Sequence, residues 1–262
     1  MRTTRKAPWK ARTSTLTLSA VALIAGAVPY VSAVSGASPP KGTPTAKRFG
    51  GVPTVGALFS AVGGKSHFCT ASVVDSAPGD LVITAAHCVY SKPGGYARHI
   101  QFVPGYHDGK RPYGSWPVRK ITVASGWRES QNPDLDVAFL TVGRAGTRVQ
   151  TRTGGLRLGV SRPYRQAVEP VGYNDTDSRP VRCRTRSFEF RSGQRELYCR
   201  DFWDGTSGGP WITGFNSRTG DGTVTGVIGG YEQGGDYDWA SYSPYFGSAI
   251  GALFRQAGGT RR

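Results

Sequence analysis

A serine among glycines in the last third of the chain has the surroundings that a nucleophile needs. The stretch reads Asp204-Gly205-Thr206-Ser207-Gly208-Gly209-Pro210-Trp211. A serine hydroxyl attacks a carbonyl only when a base removes its proton and nearby donors hold the oxyanion that forms. Gly205 has no Cβ, so the backbone can turn sharply and bring substrate close to bare N–H groups. We expect the amides of Gly205 and Ser207 to be the oxyanion donors, although such Gly/Ser/Pro clusters also form plain surface turns.

The same stretch fits the Gly-x-Ser-x-Gly turn of the α/β-hydrolases, which needs an acid and then a histidine after the serine. The four histidines, His67, His87, His99 and His107, all precede Ser207. The chain therefore offers the order His, Asp, Ser instead.

Two other stretches supply a base and an acid. Thr84-Ala85-Ala86-His87-Cys88 ends an apolar run that is typical of a strand, and a ring at a strand end can reach into a cleft. A histidine beside a cysteine can also bind a metal, but no second His/Cys pair follows at ligand spacing, so we predict no metal site. Asp136 stands directly before the apolar run 137–140, where a carboxylate needs a polar partner such as a histidine N–H. Asp134 is the rival acid, and we prefer Asp136 because the apolar run starts immediately after it.

Short strands must position these residues. Runs rich in Val, Ile, Thr, Phe and Tyr alternate with Gly, Pro and Asp, and this pattern is typical of an all-β protein. The runs predict two sets of six antiparallel strands that can close on themselves and remove exposed edges. The first set covers 52–62, 67–76, 80–87, 99–106, 116–125 and 136–142, and the second covers 156–160, 166–173, 181–191, 197–200, 210–215 and 223–232. Ser241–Phe246 is a candidate extension, and Gly247–Ala257 alone has the apolar spacing of a helix.

The N-terminal residues have the pattern of an export signal. Met1–Arg12 carries five positive charges and no negative one, Leu16–Val31 is apolar and short, and Val31-Ser32-Ala33 fits a small-x-small cleavage site. We predict a signal peptide at residues 1–33, with a cut after Ala37 as the alternative, and no membrane span. The protein is then expected outside the cell.

The remaining chain divides into three segments. Residues 34–48 are polar and rich in proline, so we expect a flexible tail or short pro-segment that does not pack. Residues 49–145 and 146–262 are expected to form the N-terminal barrel and the C-terminal barrel with its helix.

Four cysteines in an exported chain predict two disulfides. Of the three possible connectivities we favour Cys69–Cys88 with Cys183–Cys199, which closes one loop in each half. The net charge of +16 becomes +11 without the five charges of the signal. Such charge can bind anionic cell-wall polymers nonspecifically, or simply keep a mixed surface away from neutrality. No Lys/Arg stripe interleaved with aromatics suggests nucleic-acid binding, and we expect a monomer.

Together the three motifs resemble those of the trypsin/chymotrypsin-type serine peptidases, and most closely the secreted bacterial trypsin-like branch. Thr84–Cys88, Asp136–Leu140 and Gly205–Pro210 occur in that family's order, and the resemblance spans residues 52–254. It implies two perpendicular six-stranded barrels with the active site in the cleft between them. It also implies a secreted endopeptidase that acts on polypeptides and needs no cofactor.

The family's mechanism gives each residue a role. His87 is implied to be general base and then general acid, Asp136 to orient His87, and Ser207 to form an acyl-enzyme. An inactive binding protein on this fold and a serine esterase are the alternatives.

Three departures from the family bear on activation and specificity. Thr206 stands where animal members have an aspartate that receives the new N-terminal amine after zymogen cleavage, so we predict no switch of that kind. A cysteine usual four residues before the serine is missing, and Cys199 lies eight before it. Asp201 has the offset of the trypsin-like pocket aspartate, which would select Arg or Lys. Because Phe202, Trp203 and Asp204 do not match that loop, we prefer a solvated aspartate near a disulfide.

A last stretch aligns with the family's substrate-pairing strand. It is Gly226–Glu232, and its Gly229 and Gly230 predict a bare edge for β-addition of a peptide. Tyr231 and Glu232 are expected at the pocket rim.

Overall fold

The computed structural model describes residues 38–60 and 66–260. The predicted signal peptide at residues 1–33, with both candidate cleavage points, lies outside the described residues. The described chain consists mainly of short β-strands and ends in an α-helix, which confirms the predicted fold class. No helix in this part of the chain is long and apolar enough to cross a bilayer.

The strands, numbered in chain order, are β1 (Lys47–Arg48), β2 (Val55–Ser60), β3 (His67–Val73), β4 (Leu81–Thr84), β5 (Tyr90–Ser91), β6 (Gly95–Tyr96), β7 (Ile100–Pro104), β8 (Trp116–Val123), β9 (Ala138–Val142), β10 (Arg157–Leu158), β11 (Gln166–Gly172), β12 (Val181–Arg182), β13 (Thr185–Arg191), β14 (Gln194–Tyr198), β15 (Pro210–Thr213), β16 (Thr223–Val227) and β17 (Ala240–Pro244). The α-helices are α1 (Ser125–Ser130), α2 (Val149–Thr153) and α3 (Ser248–Gln256), and 3₁₀ turns cover Ala86–Cys88, Pro133–Leu135 and Tyr231–Gly234.

Six strands of the first half close into an antiparallel barrel in the order β2-β3-β4-β9-β8-β7, as predicted. Because side chains alternate across a strand, these strands contribute to two apolar clusters. One cluster lies mainly in the first half and includes the fully buried Leu58, Phe102 and Leu140. The other joins the two halves, with the rings of Phe139 and Phe254 at 5.4 Å. The shared cluster holds the barrel against the second half.

Six strands of four residues or more, β11 and β13 to β17, form the sheet of the second half. They follow the order β16-β15-β11-β13-β14-β17, with β10 added beside β16. The two ends of this order meet where Val227 N–H donates to Ser243 Oγ and Gly229 N–H donates to Tyr242 O, each at 3.0 Å. Within the described residues strand ladders close only the first barrel, and these two bonds join the ends of the second set.

The strands at the two ends of the second half differ from their predicted extents. The predicted strand 156–160 is reduced to the two residues of β10. The predicted extension 241–246 is instead a full ladder strand, because β17 pairs with β14 from Gln194↔Pro244 to Tyr198↔Ala240. Its partner lies far away along the chain, and periodicity alone does not reveal such a pairing.

The predicted strand 181–191 is interrupted once, although its register is continuous. Arg182 lies opposite Val171 and Thr185 lies opposite Val168, both on β11. The gap falls opposite Pro170, which has no N–H to give the ladder. The proline accepts a bond from Cys183 N–H at 3.2 Å but returns none.

The segment before the first barrel differs from the prediction that it does not pack. Ala46 N–H donates to Arg200 O at 3.0 Å, and Arg200 N–H donates to Pro44 O at 2.9 Å. β1 then pairs with β12, and Arg48 forms an ion pair with Asp177. These contacts use mainly main-chain groups, so the polar composition of residues 44–48 does not prevent them.

Candidate active site

His87 and Asp136 form a pair at one edge of the first barrel. Thr84, which ends β4, lies opposite Ala138, which begins β9, so the two segments leave the barrel side by side. His87 Nδ1 lies 2.7 Å from Asp136 Oδ2, and His87 N–H donates to Asp136 Oδ1 at 2.8 Å. The carboxylate is fully buried and the ring is 12% exposed. The carboxylate accepts one bond from the ring and one from the main chain of His87. The ring bond favours the proton on Nδ1, which leaves Nε2 as an acceptor.

A third donor to Asp136 comes from the second half. Gly230 N–H donates to Asp136 Oδ2 at 2.8 Å. A Cβ on Gly229 would lie 2.9 Å from the same oxygen, so only glycine permits this approach. A buried carboxylate needs such partners. The adjacent Gly229 and Gly230 are the sequence signal by which this donor could have been predicted.

Those glycines do not form the predicted bare edge. β16 ends at Val227, Gly230 has a φ of +78°, and Tyr231–Gly234 curls into a 3₁₀ turn. Positive φ at Glu232 makes an extended strand through this stretch impossible. The two glycines let the main chain approach Asp136 closely.

Asp134, the rival acid, bonds elsewhere. Gln194 Nε2 donates to Asp134 Oδ1 at 2.6 Å, and Gln194 Oε1 accepts a bond from Tyr231 N–H at 3.1 Å. The fully buried Gln194 therefore ties the turn before Asp136 to the segment that donates to it. Sequence reasoning missed Gln194, since no motif surrounds it.

Ser207 lies on a turn of the second half that contacts the end of β4. Its main-chain carbonyl accepts a bond from Thr70 N–H of β3 at 2.8 Å. Gly208 has a φ of +79°, and a Cβ there would overlap Thr84 Oγ1. The missing Cβ lets this turn pack on the segment that leads to His87. Ser207 Oγ has no hydrogen bond to the residues that the structure describes, and bonds between nucleophile and base often tighten only with substrate.

The turn also presents two unused donors. Among the described residues, the N–H groups of Gly205 and Ser207 donate no hydrogen bond, whereas Thr206 N–H donates to Trp203 O at 3.2 Å. Gly205 has a φ of +90°, which suits only glycine. Two free N–H groups beside a serine are the arrangement that can hold an oxyanion.

Asp201 lies beside a second carboxylate. Its N–H donates to Asp238 Oδ2 at 3.2 Å. Burial raises the pKa of Asp201, and the charge of Asp238 raises it further, while Arg48 and Arg200 lower it. Asp201 is half-buried, so it is not a freely solvated aspartate. In the described part of the chain it is also not enclosed in a pocket with a cation beside it.

Tyr231 belongs to an aromatic cluster. Its ring lies 5.0 Å from Phe190 and 5.1 Å from Tyr242, and the Arg191 guanidinium stands 4.5 Å from its centroid. It directly follows Gly230, which donates to Asp136.

Both predicted disulfides are confirmed, with S–S distances of 2.00 Å for Cys69–Cys88 and 2.04 Å for Cys183–Cys199. Cys69 and Cys88 also lie with His87 in a group whose ligand atoms are within 4.8 Å of one another. The two sulfurs are bonded to each other and offer no thiolate, so this group does not fit a metal ion.

The family model that describes trypsin matches residues 46–246. The chain belongs to the trypsin family. Its fold is similar to that of the protease Anisep from Arthrobacter nicotinovorans, with 26% identity, a TM-score of 0.71, and coverage of 81% of this chain and 99% of that one. It is also similar to AL20, a thermostable serine protease from an extremophilic microorganism, with 26% identity, a TM-score of 0.69, and coverage of 78% and 96%. A Glu endopeptidase shares the trypsin fold at 14% identity, with a TM-score of 0.64 and coverage of 82% and 97%.

A curated relative covers less of this trypsin-family chain. It is the extracellular metalloprotease of Bacillus subtilis (strain 168), 29% identical over 122 residues, which are 44% of this chain and 38% of that protein. The chain thus matches well under half the length of that relative.

Proposed function

We propose that the chain is a secreted serine endopeptidase that uses His87, Asp136 and Ser207. One observation carries the proposal: the His87–Asp136 pair stands at the barrel edge against which the Ser207 turn packs through Gly208. The family and the fold support the same activity.

The residues then divide the work. His87 Nε2 takes the proton from Ser207 Oγ as that oxygen attacks the peptide carbonyl, and the N–H groups of Gly205 and Ser207 hold the oxyanion. His87 passes the proton to the departing amine, which leaves an ester on Ser207. Water, activated by the same base, hydrolyses the ester. Asp136 orients His87 and stabilises the imidazolium cation without taking the proton.

A fluorophosphonate probe tests the nucleophile. The chain without its signal should be labelled once, Ser207→Ala should not be labelled, and Ser192→Ala, at an exposed serine of the β13–β14 hairpin, should be labelled like wild type. Peptide cleavage should follow labelling and should persist in a metal chelator. Labelling that survives Ser207→Ala, or activity that disappears in chelator, would refute the proposal.

A peptide library identifies the substrate class. Cleavage after Arg or Lys that is lost in Asp201→Asn would assign the pocket to Asp201. A chain that turns over acyl esters but no peptide is an esterase, and one that is not labelled at all is a binding protein.

Export and surface charge complete the proposal. The signal-like N-terminus and two disulfides support an extracellular enzyme. The charge of +11 that remains without the five charges of the predicted signal supports nonspecific retention on anionic cell-wall polymers. Elution from isolated cell wall by about 0.5 M salt tests that retention, because salt screens such contacts.

A further inference from the structure

The loop before Ser207 must be held in place before substrate arrives. It runs from Asp201 to Thr206 and carries the free N–H of Gly205. Oxyanion donors act well only when they are already positioned, because reorganisation then costs nothing during the reaction. Thr206 Oγ1 donates to Trp203 O at 2.7 Å, but that bond lies inside the loop and does not attach it to the rest of the protein.

The buried side chain of Asn174 makes two of the bonds that attach the loop, beside those from the Asp201 and Phe202 N–H groups to Asp238. Asn174 Nδ2 donates to Asp201 O at 3.1 Å, and Asn174 Oδ1 accepts a bond from Trp203 N–H at 2.9 Å. Asn174 is only 6% exposed, so water competes little for these bonds. The amide thus spans the loop as one donor and one acceptor with fixed spacing.

The first half of the protein fixes Asn174 in turn. His67 Nε2 donates to Asn174 O at 2.9 Å, and His67 is buried on β3. Next to it, Asp175 N–H donates to Asp204 O at 2.7 Å. The loop is therefore linked through residues 174–175 to the barrel that carries His87.

Gly205 rests on the same segment. Thr70 Oγ1 donates to Gly205 O at 3.0 Å and accepts a bond from Tyr173 N–H at 2.9 Å. A Cβ on Gly205 would lie 2.5 Å from Asp175 N and 2.6 Å from Tyr173 O. The contacts with residues 173–175 therefore fix the direction of the free Gly205 N–H.

We propose that Asn174 is a positioning residue that holds the Asp201–Thr206 loop in its oxyanion-binding form. The inference rests on the proposed peptidase function and deepens it. Asn174 does not touch the reacting atoms. In animal members an aspartate at the position of Thr206 orders this loop by binding the new N-terminal amine. Thr206 has no carboxylate and cannot do so, and in this chain Asn174 orders the loop instead.

Amide hydrogen exchange tests the anchor without needing activity. In Asn174→Ala the peptide covering residues 201–209 should exchange faster than in wild type. Asn216→Ala is the matched control, since Asn216 Oδ1 also accepts a main-chain bond, from Arg218 N–H at 3.0 Å, but in an exposed turn of the second half. Its exchange at residues 201–209 should equal that of wild type. Unchanged exchange in Asn174→Ala would overturn the proposal.

Turnover per active site tests the catalytic consequence. Sites are counted with the fluorophosphonate, so a poorly folded fraction does not enter kcat. We expect kcat of Asn174→Ala to fall by about 10- to 10³-fold, the upper limit being complete loss of one oxyanion donor, with a smaller change in KM. Asn174→Asp keeps the acceptor for Trp203 N–H and should lose less, and it replaces Asn174→Ala if the latter does not fold. An unchanged kcat per labelled site would refute the positioning role of Asn174. If wild type is not labelled, the peptidase proposal is refuted, and hydrogen exchange alone then tests whether Asn174 anchors the loop.

Discussion

Replacing Gly208 with alanine tests whether the Ser207 turn depends on close contact with β4. The φ of Gly208 is +79°, where an alanine costs about 1–2 kcal/mol of unfolding free energy. The new Cβ would also overlap Thr84 Oγ1 and Thr70 O, which are hydrogen-bonded to each other at 2.8 Å. Thr84 is fully buried, so relief requires moving main chain, and overpacking of this kind costs about 1–3 kcal/mol. We expect Gly208→Ala to lose about 2–5 kcal/mol of unfolding free energy.

Gly214→Ala separates the two contributions. Gly214 has a φ of +61°, but a Cβ there meets no heavy atom within 4 Å. Only the backbone cost of about 1–2 kcal/mol applies. Urea unfolding followed by tryptophan fluorescence should therefore find Gly208→Ala about 1–3 kcal/mol less stable than Gly214→Ala.

Activity should separate the two variants further. Thr70 N–H donates to Ser207 O, so a shift of Thr70 moves the nucleophile as well. A misplacement of about 1 Å can cost about 10² in rate, and we expect a loss of that order in kcat/KM per labelled site for Gly208→Ala. Gly214→Ala should stay close to wild type. Equal stability and equal activity of the two variants would refute the close-contact reasoning.

Three further changes test the site and the core. Asp136→Asn should lower kcat by about 10⁴, because an amide does not hold the His87 tautomer, and a loss below tenfold in a stopped assay contradicts that role. Burial lowers the pKa of Arg195 to about 10, and among the described residues it has no carboxylate partner, only bonds such as Nη1 to Thr225 O at 2.7 Å. Removing this buried charge offsets the loss of its hydrogen bonds, so the unfolding free energy of Arg195→Met in urea should lie within about 2 kcal/mol of wild type. A larger loss would mean that the cation is needed for stability. Burial also lowers the pKa of His67 below its usual 6.5, so the unfolded chain binds the proton first as pH falls. The stability that depends on neutral His67 is complete above about pH 6.5 and is lost as the pH falls below it. His67→Gln keeps a donor but does not titrate, so its unfolding free energy in urea should fall less than that of wild type between pH 7 and pH 5.

Local patterns predicted the parts of the site that lie within motifs. His87 and Asp136 stand at the ends of apolar runs, and the run after Asp136 distinguished it from Asp134. The structure brings this pair of side chains together because β4 and β9 are neighbours in the barrel. The first barrel and both disulfides followed from the same kind of short-range pattern.

Contacts between distant segments account for what was missed. Gly230 bonds to a residue 94 positions away, and Gln194 bonds to one 60 positions away. Asn174 lies in no motif, and its amide contacts main-chain groups whose positions depend on the complete fold. The packing of residues 44–48 was missed for a related reason, since a main-chain ladder leaves no trace in side-chain polarity.

Glycines at the boundary between the halves explain how the site is assembled. Gly208 of the second half lies where a Cβ would overlap Thr84 of the first, and Gly229 lies where a Cβ would press on Asp136. Gly230 adds a donor to the same carboxylate. At this boundary the second half thus contributes glycine main chain and the first half contributes the His87–Asp136 pair. A larger residue at these positions would separate His87 from Ser207 while both residues and Asp136 were still present. The glycines are therefore as much a condition of the proposed chemistry as those three side chains.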